Sequence, residues 1–160
     1  MVIETREYRL DKAVFMRAAY RVYLGWYFKS IIASFIVALS LVALNLPAVG
    51  AIEFLLTALM PFAMAHIKCS RALALPINAI PFVSRFDESS IEQLSRGERR
   101  SFIAYSELAS VRDMPEGLCV WLGKKGPWIL IQRDAFKSPM EYQSACDHLI
   151  RAGLMKPKDS

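Results

Sequence analysis

Cysteine and histidine are scarce in this 160-residue chain. The three cysteines, Cys69, Cys119 and Cys146, are an odd number with no CxxC pair. That pattern excludes a disulfide framework and a zinc cluster built from cysteine pairs. His66 and Cys69 stand three apart, as two ligands would. A closed site wants four, and the one other histidine, His148, lies far along the chain, so no metal is expected. Gly-rich phosphate loops, HExxH and paired-carboxylate motifs are missing as well. A nucleophile needs a base and an orienting group. Cys119 with His148 is the only pairing to consider, and no local signature surrounds it. The chain therefore reads as non-enzymatic, with no catalytic residue and no cofactor. Charged Glu4, Arg6, Glu7 and Arg9 stand where a cleavable leader would carry an apolar core. Arg96, Arg99 and Arg100 are too few for a nucleic-acid patch, so no nucleic-acid partner is expected.

What the chain has is apolar length. With 54% hydrophobic residues and a mean hydropathy of +0.28, it is too apolar for a soluble domain and too polar for a fully embedded one. The surplus is concentrated in residues 31–67. Two membrane crossings are predicted there, 26–46 and 51–67, since about 20 apolar residues cross a hydrocarbon core. Asn45, Pro47 and Gly50 supply the turn. Pro61 predicts a kink that neighbouring groups can accommodate. Lys29 lies near enough to an end to snorkel. Glu53 reads as an interfacial carboxylate near the turn, with an intramembrane functional carboxylate as the alternative. Arg17, Arg21 and Lys29 precede the first crossing, and Lys68 and Arg71 follow the second. The turn has no Lys or Arg, so the positive-inside rule sets both termini in the cytoplasm. Ala33, Ala38, Ser40 and Ala43 are small enough for close helix packing, which allows a homo-oligomer.

The flanks are mixed. Residues 2–10 read as a weakly alternating strand. Asp11 reads as an N-cap, with Leu10 and Phe15 placed for a hydrophobic staple. The helix after it carries Val14, Phe15, Ala18, Ala19 and Val22 on one face and Arg17 and Arg21 on another, an interfacial pattern. Tyr23, Trp26 and Tyr27 suit an aromatic belt. Residues 68–82, broken by Pro76 and Pro81, read as an interfacial linker.

From Val83 short strands alternate with turns at 95–98, 114–117 and 123–126, which predicts one antiparallel sheet of consecutive hairpins. Leu118, Val120 and Leu122 should share one face, and Cys119 and Trp121 the other. Ser138 reads as the N-cap of a last helix, with Pro139 at its first position and Glu141 completing a capping box. Tyr142, Ala145, Cys146, Leu149 and Ile150 form one stripe. Gly153 ends the helix, and Leu154 is placed for the contact that follows. At the tip from Gly123 to Trp128, Lys124, Lys125 and Trp128, with Trp121 nearby, read either as a solvated turn or as a contact for lipid headgroups or a partner.

Four passages carry a resemblance. They are Tyr105-Ser106-Glu107-Leu108 with Val111, the Leu118-Cys119-Val120-Trp121-Leu122 run, the strand over 128–131, and Arg133-Asp134-Ala135-Phe136 leading into the last helix. With the order of parts, they resemble the YcxB-like family. The resemblance implies a pleckstrin-homology-like (PH-like) module on the cytoplasmic side of a bacterial inner membrane, and it brings no reaction to carry over. The expected fold class is an α+β membrane protein. A two-helix transmembrane hairpin carries a small antiparallel PH-like sheet capped by a C-terminal helix, and the N-terminal segment adds a strand. The expected divisions are 1–28 (strand and interfacial helix), 29–67 (hairpin), 68–82 (linker), 83–155 (module) and 156–160 (frayed tail). The expected function is presentation of a binding module to a protein or lipid partner. The alternative is a membrane-embedded immunity protein that protects its producer against a toxin.

Overall fold

The computed structural model describes residues 2–75, 78, 80–123 and 127–157. Among them are three α-helices and two small antiparallel sheets, an α+β arrangement. The chain forms two compact units. One combines the first fifteen residues with everything from Leu75 onward, and the other is Met16–Ala74.

In the first unit, β1 (Ile3–Glu4), β2 (Val83–Phe86), β3 (Ser90–Ser95) and β4 (Glu98–Ala104) form one sheet in that order. A second sheet has β5 (Leu108–Met114), β6 (Gly117–Leu122) and β7 (Trp128–Gln132). The single sheet expected from the hairpin pattern is thus two. A 3-10 turn over Tyr105–Glu107 separates them, held by the Glu107 carboxylate accepting the Ala104 N–H at 3.2 Å. The redirected chain starts a new ladder instead of extending the old one.

The N-terminal strand is shorter than its apolar residues suggest, yet the segment is firmly tied. Ile3 pairs with Phe86 and Glu4 with Arg85. Thr5 N–H donates to Ser84 O, and Thr5 Oγ1 accepts the Ser84 N–H, both at 2.9 Å. Arg6 N–H donates to Ala135 O at 2.8 Å, and its guanidinium reaches Asp134 O and Phe136 O. Tyr8 bridges to Phe82. The buried Gln132 amide closes the strap: Nε2 donates to Arg9 O (3.2 Å) and Oε1 accepts the Asp11 N–H (2.9 Å). Residues 3–11 therefore complete a unit whose remaining strands begin some eighty positions later.

The core joins both sheets to a C-terminal helix, α3 (Pro139–Arg151), through Phe86, Ile91, Leu118, Ile131, Phe136 and Leu149. The predicted stripe of α3 faces it: Tyr142, Ala145, Cys146 and Leu149 are buried, and Ile150 is half-buried. Ser138 Oγ accepts the Glu141 N–H at 3.2 Å. The Glu141 carboxylate takes the Lys137 N–H at 3.0 Å, so the expected reciprocal box is shifted by one residue. Gly153 (φ 72°) ends the helix. Leu154 N–H bonds to Leu149 O and Gly153 N–H to Ile150 O, the two bonds of a Schellman motif. Alternation fails in β6, where Leu118, Cys119, Val120 and Trp121 are all buried. It is paired along both edges and its side chains are buried on both faces, and the Arg112 guanidinium lies 5.1 Å over the Trp121 ring.

The second unit is a pair of long helices. The first, α1 (Lys12–Ala43), starts in the sheet unit, where Asp11 Oδ1 accepts the Val14 N–H at 2.9 Å. It is one continuous helix that spans both the expected interfacial segment and the first crossing. Only Gly25 interrupts that region, and one glycine costs a helix about 1 kcal/mol without breaking it. The second, α2 (Pro47–Leu73), takes Pro47 at its first position and contains Pro61. It absorbs six residues assigned to the linker, through Leu73. At 1.5 Å per residue the two helices are about 48 and 40 Å long. Asn45, with φ 59°, makes the turn between them. Gly50 lets the helices meet: a Cβ there would sit 2.8 Å from Ala38 O.

Candidate functional site

Glu53 is the one carboxylate of the helical pair's apolar region. It stands six residues after Pro47, about 9 Å along α2. Its Oε2 accepts from Ser34 Oγ of α1 at 2.8 Å, and its Oε1 from Thr57 Oγ1 at 3.4 Å. Ser34 is only 5% exposed. The carboxylate is thus satisfied by hydroxyls within the pair, a local clasp between α1 and α2. Sequence reasoning singled out Glu53 but had no means of finding Ser34.

Of the expected contact group on the sheet unit, Trp121 and Trp128 are cross-strand partners in β6 and β7. Lys124 and Lys125 lie outside the described residues. Trp121 is 6% exposed and offers no surface. Trp128 is half-buried, its ring 5.0 Å from that of Phe15.

Arg96, Arg99 and Arg100 are, by contrast, gathered. The β3–β4 hairpin closes with Ser95 opposite Glu98, leaving Arg96 and Gly97 as its two loop residues. Both have positive φ, 52° and 81°, the geometry of a type I′ turn. Ser95 Oγ donates to Pro81 O at 2.8 Å. Arg100 donates to Ile80 O (3.2 Å) and to Asn78 Oδ1 (3.4 Å) and lies 5.0 Å over the Phe82 ring. Arg99 pairs with Glu92 at 2.7 Å and lies 5.1 Å over Phe102. A pocket of about 450 Å³ is lined by Ile80, Ser95, Arg96, Glu98, Arg99 and Arg100. The charges were legible in the sequence. Their convergence with Ile80 depends on a non-local pairing and was not.

A different cluster is structural. Asp113 Oδ1 accepts from both Tyr142 Oη and Arg133 Nη2, and Arg133 also donates to Met114 O and lies 4.1 Å over the Tyr142 ring. This ties β5 and the Arg133–Ala135 turn to α3. Burial, aided by the bond to Asp113, pushes the Tyr142 phenol above its usual range. Burial likewise pushes Tyr105 up to about 12, while its hydroxyl donates to Asp87 O at 2.9 Å. A phenol raised in the folded state favours folding below its unfolded value near 10, and that contribution is lost as pH rises through the folded value. Stability of the sheet unit should therefore hold from pH 7 to 9 and fall above about pH 10. Urea midpoints followed by near-ultraviolet circular dichroism test this. Tyr142→Phe should flatten the alkaline decline, and an unchanged decline would remove Tyr142 as its source.

Cysteine chemistry has little to work with. Cys119 is fully buried, and that burial pushes its thiol up, away from the thiolate a nucleophile needs. His148, named with it as the only pairing to consider, is held elsewhere: its Nε2–H donates to Asp87 O at 2.8 Å. Among the described residues no three His, Cys, Asp or Glu converge as metal ligands. No protein-family model matches the chain, and neither the curated proteins nor the solved structures contain a match.

Proposed function

We propose that this chain is a non-enzymatic membrane protein whose α1–α2 hairpin crosses the bilayer and tethers a binding module in the cytoplasm. One observation carries the reading. Both helices have an 18-residue stretch of mean hydropathy 1.8, of which only 11% and 17% is buried within the protein. Large apolar side chains stand uncovered along both, such as Leu56 at 65% exposure. A half-exposed Leu or Phe in water forgoes roughly 1 kcal/mol. Over a dozen of them together forgo an amount comparable to the about 5–15 kcal/mol that holds a domain together. Lipid is the solvent that removes this cost, and both helices are longer than the about 30 Å it requires.

Arg17, Arg21 and Lys29 on one flank and Lys68 and Arg71 on the other favour cytoplasmic termini. A PH-like character for the sheet-plus-helix unit and a bacterial inner membrane are proposed on the resemblance to YcxB-like proteins alone. The module's work is positioning: a tether raises the effective concentration of membrane-borne partners without adding a contact. Alkaline carbonate washing of membranes should leave the chain in the pellet. A reporter fused at Ser160 should be active in the cytoplasm and silent in the periplasm. A chain that stays soluble and monomeric without detergent would defeat the reading.

A further inference from the structure

We infer that the arginine pocket at the β3–β4 tip binds the phosphate of an anionic phospholipid headgroup. The inference rests on the membrane reading above and assigns that reading's module a ligand and a site.

Arg96 is the first argument. It occupies a left-handed position where Asn or Gly fits without strain, and a side chain such as Arg pays roughly 1–2 kcal/mol there. The turn has no use for a guanidinium. Among the described residues Arg96 makes no hydrogen bond or ion pair, and it is exposed. A costly cation held free at a tip is placed for something outside the chain.

Arg100 is the second. Ile80 O, Asn78 Oδ1 and the Phe82 ring hold its guanidinium in place. A guanidinium has five N–H donors, so this fixed group keeps donors to spare. Arginine forks suit phosphate because two parallel N–H bonds match two of its oxygens. Arg99 adds a third cation, with Glu92 as its counter-charge. Glu98 also lines the pocket, so the site suits a singly charged phosphodiester better than a doubly charged anion.

The surroundings decide which phosphate. Ile80 and Phe102 are 43% and 49% exposed beside these arginines. Cations mixed with exposed apolar and aromatic side chains suit the boundary between headgroup and acyl chain. A site for a free anion has no use for that apolar rim. Ile80 follows Leu73, the last residue of α2, by seven positions, a span of at most about 25 Å. That length of chain is the upper bound on the leash between the pocket and α2. Charge on an exposed edge strand also discourages aggregation, which accounts for Arg99 and Arg100 on β4. It accounts neither for Arg96 in the turn nor for the pocket.

The test uses the full chain purified in a non-ionic detergent. Native mass spectrometry counts retained lipid after addition of phosphatidylglycerol or phosphatidylcholine, with inorganic phosphate as a separate competitor. The wild type should retain phosphatidylglycerol at least about tenfold better than phosphatidylcholine. Arg96→Asn, which relieves the turn while removing the charge, and Arg96→Asn with Arg100→Gln should each lower that retention, the double variant by about tenfold, as expected for lost charge-assisted bonds. An unchanged melting temperature of Arg96→Asn establishes that its fold is intact. Equal retention by wild type and Arg96→Asn would overturn the site. Displacement of the lipid by millimolar inorganic phosphate would overturn the choice of lipid as the source. Carbonate extraction of the same wild-type protein separates the two readings. A chain that remains in the pellet but ignores phosphatidylglycerol defeats the pocket alone, whereas a chain that washes off defeats the membrane assignment beneath it.

Discussion

Removing the hairpin should leave a folded, soluble module, and removing the N-terminal strap should not. In the first variant Met16 is joined to Leu75 through about eight Gly and Ser residues, a flexible connection with ample reach. All the pairings of the sheet unit survive, because residues 3–11 remain beside β2. In the second variant the chain begins at Ile80. It loses the burial of Ile3, the double Thr5–Ser84 bond, three bonds from Arg6 and the Tyr8 bridge. It also strands the Gln132 amide in the core without Arg9 O or the Asp11 N–H. A buried Ile is worth about 2 kcal/mol, and a buried amide left unmatched costs about 1–3 kcal/mol. With about 1 kcal/mol for each lost hydrogen bond, the sum reaches or exceeds the total stability of many domains of this size. The first variant should elute as a monomer and unfold in one cooperative urea transition. The second should show no cooperative transition or aggregate. Equal stability of the two would mean that residues 3–11 merely lie against the sheets.

That strap marks the limit of what the sequence made legible. Its alternation is weak because only Ile3 and Glu4 enter a ladder as a strand. Its other ties are made by side chains and single backbone groups to partners 74–130 positions away, and no local window contains them. The last helix is the opposite case. Ser138, Pro139 and Gly153 were readable because caps are local chemistry within four residues, and even there the reach of the Glu141 carboxylate was misplaced by one N–H. The apolar helices were readable from composition, but not their continuity, since neither Gly25 nor Pro61 ends a helix here. Two of the candidate groups divided in the same way. Trp121 was expected at a surface because alternation assumes one wet face, and β6 has none. Arg96 was read as one of a basic trio too small for nucleic acid, and its backbone strain and its pocket emerge only when β3 and β4 pair.

Gly117→Ala should be the most damaging single methyl addition in the sheet unit. The sequence marks Gly117 only as the end of a turn. The structure gives it φ 144° and a place where an added Cβ would lie 2.2 Å from Ile131 O, 2.8 Å from Arg133 N and 2.9 Å from Gln132 Cα. All three obstacles are backbone, so no rotamer change relieves them. The pairing of Gly117 with Gln132 must open, and the Arg133 N–H to Glu116 O bond beside it is lost. We expect a loss of at least about 3 kcal/mol, in the range of clashes and broken pairings in a packed interior. Gly97→Ala is the control. Gly97 also has positive φ, 81°, but nothing lies within 4 Å of its added Cβ, so only conformational strain remains, about 1–2 kcal/mol. Urea unfolding of the hairpin-free module measures both, and equal losses would refute the close approach at Gly117. Because the helical pair forms a separate compact unit, Gly117→Ala in the full chain should still resist carbonate extraction while its sheet unit becomes sensitive to protease. Membrane retention with loss of the module would place anchoring in the helices and folding of the module in the close contact between β6 and β7.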